Sequence, residues 1–361
     1  MLVKLSDLIT TIPDKKYQIK NSEILNKGLF PVVDQTSLFS GFSNDSNKCF
    51  TNGDCILFCD HTSRIFYSNS TFVIGCDGIK IIKIKDTLPI NQKFIYYSLC
   101  NNYKGDGKYR RHFGDFKETH LLLPIIEKQN KIANILSNID NQIERNNAMT
   151  KRLQVMSNTI YSKTFSACKD KISFYDYPYL ELLKPGITQF NGEKIYIPTA
   201  EVNGNNINFN SSKITFENRE NRANMQPIYN SVWFAKMKNS NKHIYLTEKD
   251  KYLVDNFIFS TGFCGIKCQD FAFEYLIGTV ELPYFEEMKD KLTHGATMES
   301  INNDDLKSLL IPNPSKELLE QYHNLTKDIY KQISLIRIEN YKLETLKNTL
   351  LPLLINGQLE V

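Results

Sequence analysis

Two stretches of the chain carry apolar residues at helical spacing over many turns. In residues 121–165, Ile132, Ile135, Leu136, Ile139, Ile143, Met149, Leu153, Met156 and Ile160 recur at steps of three and four, and no Gly or Pro follows Pro124. Such a stripe predicts one long helix with a single apolar side. At 1.5 Å per residue a helix of roughly 35 residues is about 50 Å long, and a stripe of that length needs a partner helix to cover it. Residues 318–350 supply one, through Leu318, Leu325, Ile329, Ile333, Ile336, Leu343, Leu346 and Leu350. The pairing residues expected are Ile132, Leu136, Ile139, Ile143, Leu153 and Ile160 from the first helix, with Leu325, Ile329, Ile333, Ile336, Leu343 and Leu350 from the second.

The two stripes superimpose at an offset of 190, which places Ile139 on Ile329, Ile143 on Ile333, Leu153 on Leu343 and Ile160 on Leu350. Short matches ahead of each helix repeat at nearly the same offset. Gly78-Ile79-Lys80 aligns with Gly265-Ile266-Lys267, and Leu121-Leu122-Leu123-Pro124 with Leu309-Leu310-Ile311-Pro312. A near-constant offset of half the chain predicts a tandem repeat: a globular unit over 1–124, a helix over 125–168, a second unit over 169–312 and a second helix over 313–361.

Within the units the pattern changes to short apolar runs broken by turn residues, which predicts a β-rich α+β fold. Cys55–Cys59, Phe72–Ile82, Lys194–Thr199 and Ser231–Lys238 read as strands, with Phe94–Cys100 and Asp270–Ile277 as short helices. Residues 3–12 fit either a short helix or a strand. Trp233, the only tryptophan, is expected in the core.

Composition narrows the class. No apolar run approaches the ~18 residues of a membrane span, and Lys4 and Asp7 interrupt the only early apolar residues, so a soluble cytoplasmic protein is expected. The eight cysteines lie mostly in apolar runs such as CILFC and lack C-x-x-C spacing, which favours reduced buried thiols over a metal site or disulfides. Net charge is +4 for residues 1–124, +3 for 125–168, −3 for 169–312 and zero for 313–361. The second unit is acidic overall, yet its Lys236, Lys238, Lys242 and His243 cluster apart from Glu281, Glu286, Glu287 and Asp290.

One loop stands out chemically. In GDGKYRRHFGDF, Lys108, Arg110, Arg111 and His112 are interleaved with Gly107, Tyr109 and Phe113 just ahead of the first long helix. Cations and aromatics on a flexible backbone suit phosphate and base contacts, although the same run would also serve as an ordinary solvated loop. The candidate DNA-binding residues are Arg64, Lys108, Arg110 and Arg111 in the first unit, with Arg219, Arg222, Lys236, Lys238 and Lys242 in the second. No catalytic constellation accompanies them. The six histidines are scattered without metal-ligand spacing, and P-loop, G-x-S-x-G, H-E-x-x-H and Asn-Pro-Pro-aromatic motifs are missing.

Two variable units alternating with two similar helices, the step Glu127-Lys-Gln129-x-x-Ile132-Ala133 into the first helix, and the ending Leu350-Leu-Pro-Leu-Leu-Ile-Asn-Gly357-Gln358 together resemble the specificity (S) subunits of type I restriction-modification systems. The second helix departs from the pattern, beginning Pro312-Asn-Pro314-Ser-Lys-Glu317, and Asn146 and Thr150 place polar groups in the first stripe. The resemblance implies two target recognition domains, each reading one half of a split asymmetric DNA sequence. It also implies an antiparallel coiled coil that sets the spacer and docks modification subunits. The chain itself would be non-catalytic and bind no cofactor, with S-adenosylmethionine, ATP and magnesium on the modification and restriction subunits. A specificity subunit of a type IIB-like system fits the same pattern, and a coiled-coil scaffold with protein- or glycan-binding units is the alternative from a different class.

Overall fold

The computed structural model describes every residue except 86–88, 109, 210 and 296–298, so Tyr109 of the basic loop lies outside the described residues. The chain forms two compact units, Met1–Ile143 with Leu343–Val361, and Glu144–Lys342. Two continuous 40-residue helices, the central helix Ile126–Phe165 and the C-terminal helix Lys316–Ile355, each contribute a segment to both.

The first unit contains β1 (Leu2–Lys4), β2 (Ile9–Ile12), β3 (Phe30–Val33), β4 (Gly41–Ser43), β5 (Cys55–Cys59), β6 (Ile65–Ser68), β7 (Val73–Ile74), β8 (Ile79–Ile84) and β9 (His120–Leu122). The ambiguous residues 3–12 resolve into both candidates, because a helical turn at Leu5–Leu8 separates β1 from β2. Its central sheet runs β2-β8-β5-β6, all antiparallel, and a second sheet runs β4-β3-β7 with β3 and β7 parallel. Both faces of the central sheet are covered. Ile56, Phe58 and Ile82 meet Phe94, Ile95 and Leu99 of the helix Gln92–Asn102, together with Ile132, Ala133 and Leu136 of the central helix. Cys55, Leu57, Cys59 and Ile81 on the opposite face meet Val33, Phe50, Phe72 and Ile74. A strand buried on two faces needs no polar alternation, which is why CILFC is apolar throughout.

The second unit contains β10 (Lys171–Ser173), β11 (Leu180–Leu182), β12 (Lys194–Ile197), β13 (Val202–Asn203), β14 (Asn206–Ile207), β15 (Lys213–Ile214), β16 (Ala223–Met225), β17 (Ser231–Ala235), β18 (His243–Leu246), β19 (Phe257–Ser260), β20 (Phe263–Cys268) and β21 (Leu310–Pro312). Its sheets run β11-β20-β17-β18 and β15-β12-β19-β16, again with one parallel pair, β12 with β19. Strand for strand, β2-β8-β5-β6 corresponds to β11-β20-β17-β18, and β4-β3-β7 to β15-β12-β19. The repeat is therefore one of topology. Val232 and Phe234 of β17 face the helix Phe273–Val280, while Trp233 and Ala235 face Met225, Phe257 and Phe259, which places the tryptophan in the core. In each unit a two-stranded ribbon joins the start of the unit to the segment that leads into a long helix: β1 with β9, and β10 with β21.

The helix starts explain the two different sequence patterns there. Buried Gln129 accepts from the Asn91 backbone N–H at 3.0 Å and donates to the Pro124 carbonyl at 2.8 Å, tying the first turn of the central helix to the helix Gln92–Asn102. The C-terminal helix uses Ser315 instead, whose hydroxyl accepts from the Leu318 N–H at 3.3 Å.

The helices pair antiparallel within each unit. In the first, Ile132, Leu136 and Ile139 are buried, Leu350 packs half-buried on the same core, and Ile143 and Leu343 are half-buried. In the second, Ile329, Ile333 and Ile336 are buried, and Leu153 and Ile160 pack partly buried against the unit's main core. Four stripe residues correct the sequence reading: Leu325 is 64% exposed, and Met149, Met156 and Leu346 are also exposed. Their places at the seam go to polar and aromatic residues that an apolar count passes over, namely Ser157, Tyr161, Tyr322, Thr326 and Tyr330. The Ser157 hydroxyl donates to the Tyr330 hydroxyl, so these polar atoms are buried with a partner. A polar layer follows, where Asn146 Nδ2 donates to Asn340 Oδ1 and Asn340 Nδ2 donates to Asn147 Oδ1, both at 2.9 Å.

Candidate nucleic-acid interface

The candidate cations of each unit gather at one end of its sheets. In the first unit that end is built from the loop after β3, the β5–β6 turn, the β7–β8 turn and the segment after the helix Gln92–Asn102. Buried Asp60, at the start of the β5–β6 turn, organises it. Its Oδ1 accepts from the backbone N–H groups of His112 and Phe113, each at 2.8 Å, which fixes the basic loop to the turn. Gln35 bridges the other pieces, its side chain donating to the Asp77 carbonyl at 2.7 Å while its backbone carbonyl accepts from the Thr62 hydroxyl at 2.6 Å. Gly78 has φ +78°, and a Cβ there would lie 2.9 Å from Gln35 and His61, so two loops approach at a position that only glycine fits.

This frame separates the four cations predicted in the first unit. Arg64 donates to the Thr36 carbonyl and so braces the loop after β3. Arg110 is spent within its own loop, with Nε 2.9 Å from Asp106 and Nη2 2.5 Å from Asp115. Those carboxylates push its pKa further up, and Asp106 is held below the usual carboxylate range by the Lys108 N–H and then by Arg110. Arg111 is exposed, with its guanidinium 3.8 Å from Asp77. Lys108 is exposed at the mouth of a cavity of about 380 Å³ lined also by His61, Ser63, Tyr103, Lys104 and Gly105. Lys104 was not singled out by sequence, and its adjacency to the GDGK run was the available signal. His112 is buried, with Nε2 2.8 Å from the Lys108 carbonyl, and serves the loop's shape.

The second unit builds the corresponding end from the loop after β12, the β17–β18 turn and the β19–β20 turn. Lys242 Nζ donates to the Thr199 carbonyl at 2.8 Å, and the Lys236 N–H donates to the Gly262 carbonyl at 2.9 Å. The Arg222 carbonyl accepts from the Thr261 N–H at 2.8 Å, and its guanidinium lies 3.0 Å from where a Cβ of Gly262 would sit. Arg222, Lys236 and Lys242 thus converge on one turn. Lys238 pairs with Glu299, and Arg219 lies over the Phe216 ring at 4.3 Å while donating to the Phe216 carbonyl, so both are committed to local partners. The acidic residues of this unit do not cancel the cluster wholesale, since Glu286 and Asp290 are turned to Lys289 beneath it.

Among the described residues no group of three His, Cys, Asp or Glu could hold a metal ion. Cys55 and Cys59 are buried in the first unit and Cys264 and Cys268 in the second, and burial pushes the thiols of Cys55, Cys59 and Cys264 up to about 12. No helix among the described residues is long and apolar enough to cross a membrane.

Two topologically equivalent units, each with cation-bearing loops at one end of its sheets, define a tandem repeat of mixed α+β fold. Residues 1–155 match the family model of the type I restriction modification DNA specificity domain. That match spans the first unit and most of the central helix, and makes this part of the chain similar to the type I restriction-modification specificity domain. Its fold is similar to the S subunit of a type I restriction-modification system from M. genitalium, at TM-score 0.58 and 14% identity, over 98% of this chain and 96% of that one. Looser likenesses, at 13% identity, are to the HsdS subunit from Thermoanaerobacter tengcongensis (TM-score 0.31, 99% of this chain and 97% of that one) and to a chain from a study of complex assembly and conformational transition in the type I R-M system (TM-score 0.37, 99% and 98%). No curated protein matches the sequence.

Proposed function

We propose that this chain is the sequence-specific DNA-recognition subunit of a type I restriction-modification complex. Residues 1–124 and 169–312 act as target recognition domains, and each reads one half of a bipartite asymmetric target. Residues 125–168 and 313–361 set the spacer between the halves and dock the modification subunits. The observation that carries this reading is the equivalence of the two cation-bearing ends, with the loop after β3, the β5–β6 turn and the β7–β8 turn in one unit matched by the loop after β12, the β17–β18 turn and the β19–β20 turn in the other. Duplicated loops that present Lys108 and Arg111 in one unit, and Arg222, Lys236 and Lys242 in the other, suit two half-sites of one duplex. Phosphate contacts position such loops and base edges specify the sequence.

The division of chemistry follows. Adenine methylation with S-adenosylmethionine, and ATP- and magnesium-dependent cleavage, belong to modification and restriction subunits, and the complex works in the cytoplasm on double-stranded DNA. A gel shift of the chain with its modification subunits tests the reading. Binding to a cognate duplex should weaken steeply as salt rises, since each neutralised phosphate releases counterions. Binding that ignores both salt and sequence would overturn it.

A further inference from the structure

The β17–β18 turn is held from beneath by a lysine that solvent does not reach. Lys289, on the helix Pro283–Lys291, is fully buried, and its Nζ donates to the carbonyls of Ala235 at 3.3 Å and Ser240 at 3.0 Å, on the two sides of the turn. The next residue, Asp290, accepts from the backbone N–H of Asn239 at 3.1 and 3.2 Å, and Asn239 takes the left-handed φ of 54° that closes the tip. Glu286 Oε2 lies 2.6 Å from the same ammonium and balances it. One helix therefore grips the turn at three points, and the turn carries Lys236, Lys238 and Lys242.

A buried ammonium is expensive unless its charge and donors are matched. Hydrophobic residues would fill this volume more cheaply, but none could bind two carbonyls of opposite arms at once. We infer that Lys289 is a positioning residue for sequence readout by the second unit: it fixes the shape of the β17–β18 tip, and through it the side chains that meet DNA, without touching DNA itself. The inference rests on the DNA-recognition reading above and adds to it a residue outside the interface. A rigid tip matters because base discrimination depends on side chains held in a fixed geometry, whereas phosphate attraction tolerates movement.

The test uses the chain assembled with its modification subunits, and reads methylation of a cognate duplex against duplexes carrying single changes in either half-site. Lys289→Met removes the donor but strands Glu286, so the charge-balanced variant Lys289→Met with Glu286→Gln is made beside it. In both, discrimination by the second half-site should fall roughly tenfold, the scale of one mismatched base pair, while discrimination by the first half-site and binding to the modification subunits stay unchanged. Asp290→Ala, which releases Asn239 and the 3.7 Å ion pair with Lys289 but leaves the ammonium's two carbonyl bonds in place, should give a weaker loss at the same half-site, and it decides the matter if the lysine variants fail to fold. Full discrimination in an assembled variant overturns the inference. Wild-type complex that discriminates at neither half-site overturns the recognition reading itself, and this inference with it.

Discussion

Lys347 Nζ lies 2.6 Å from Asp140 Oδ1 across the helix pair of the first unit, and the other oxygen of Asp140 accepts the Tyr97 hydroxyl at 2.7 Å. One carboxylate thus ties the central helix to the C-terminal helix and to the helix Gln92–Asn102. The ion pair is partly solvated and by itself is worth ~1 kcal/mol or less. Tyr97 is buried, so its hydroxyl gains more from the bond.

Asp140→Ala is therefore expected to cost about 1–3 kcal/mol, because it strands a buried hydroxyl, and Lys347→Ala clearly less. Urea midpoints of the two variants check the order. Equal costs would show that the ion pair, rather than the tyrosine bond, carries the junction.

Gly278 lies on the helix Phe273–Val280 directly against the Tyr161 ring of the central helix, with no room for a Cβ. Tyr161 is itself buried and bonded to Thr279 at 2.9 Å, so it has little freedom to yield. Gly278→Ala should destabilise the second unit by about 1–3 kcal/mol through overpacking, although alanine favours an isolated helix. A variant as stable as wild type would mean that the aromatic cluster repacks freely.

Two desolvated groups of the second unit, buried His243 and partly buried Glu281, give opposing pH dependences. Burial, then the charge of Lys289, pushes His243 down from 6.5 to about 4, so the unfolded chain binds the extra proton between those values and stability falls as pH drops through them. Burial pushes Glu281 up from 4.5 to about 7 against the pull of the Asn205 amide, so the folded chain holds the extra proton and stability falls as pH rises from 4.5 to 7. The two slopes nearly cancel between pH 4.5 and 6.5. His243→Gln should leave a chain that loses about 3 kcal/mol on going from pH 4.5 to 7, and Glu281→Gln one that gains about as much from pH 4 to 6.5. Denaturant midpoints at pH 5 and 7 check both signs.

The frame of the first recognition end divides its arginines. Lys108→Ala with Arg111→Ala should lower the salt dependence of DNA binding by about one unit of slope for each phosphate no longer neutralised. Arg110→Ala should leave the slope unchanged and act only through the loop's shape, because its guanidinium already serves Asp106 and Asp115. An equal fall in slope for both variants would mean that Arg110 leaves its carboxylates to meet phosphate.

The long helices were legible because a period of 3.6 sustained over so many turns has no competing explanation, and the repeat because its offset held through Gly78 and Gly265. Seam details were not. Tyr330 and Ser157 read as polar until their hydroxyls are seen to satisfy each other, and Leu325 and Met156 read as buried although both are exposed. At the recognition ends, the residue types that suit DNA were visible in sequence. What each cation does depends on loops distant in the chain, such as Asp60 holding His112 or Lys242 reaching Thr199, and no local pattern encodes that.

The central claim is that two units read DNA separately while the helices fix their spacing. Asn146 faces Asn340, and Ser157 meets Tyr330 eleven residues further along and ten residues back, so residues 144–150 lie opposite residues 336–342. Removing both segments deletes one matched heptad, which at 1.5 Å per residue shortens the pair by about 10 Å. The decisive measurement is sequencing of methylated adenines in DNA modified by the wild-type complex and by this deletion variant. The expected result is a bipartite motif whose two half-sites persist in the variant while the unread spacer shortens by up to about three base pairs, the cost of twisting the duplex limiting the shift. An active variant with an unchanged spacer, or with new half-site bases, would contradict it.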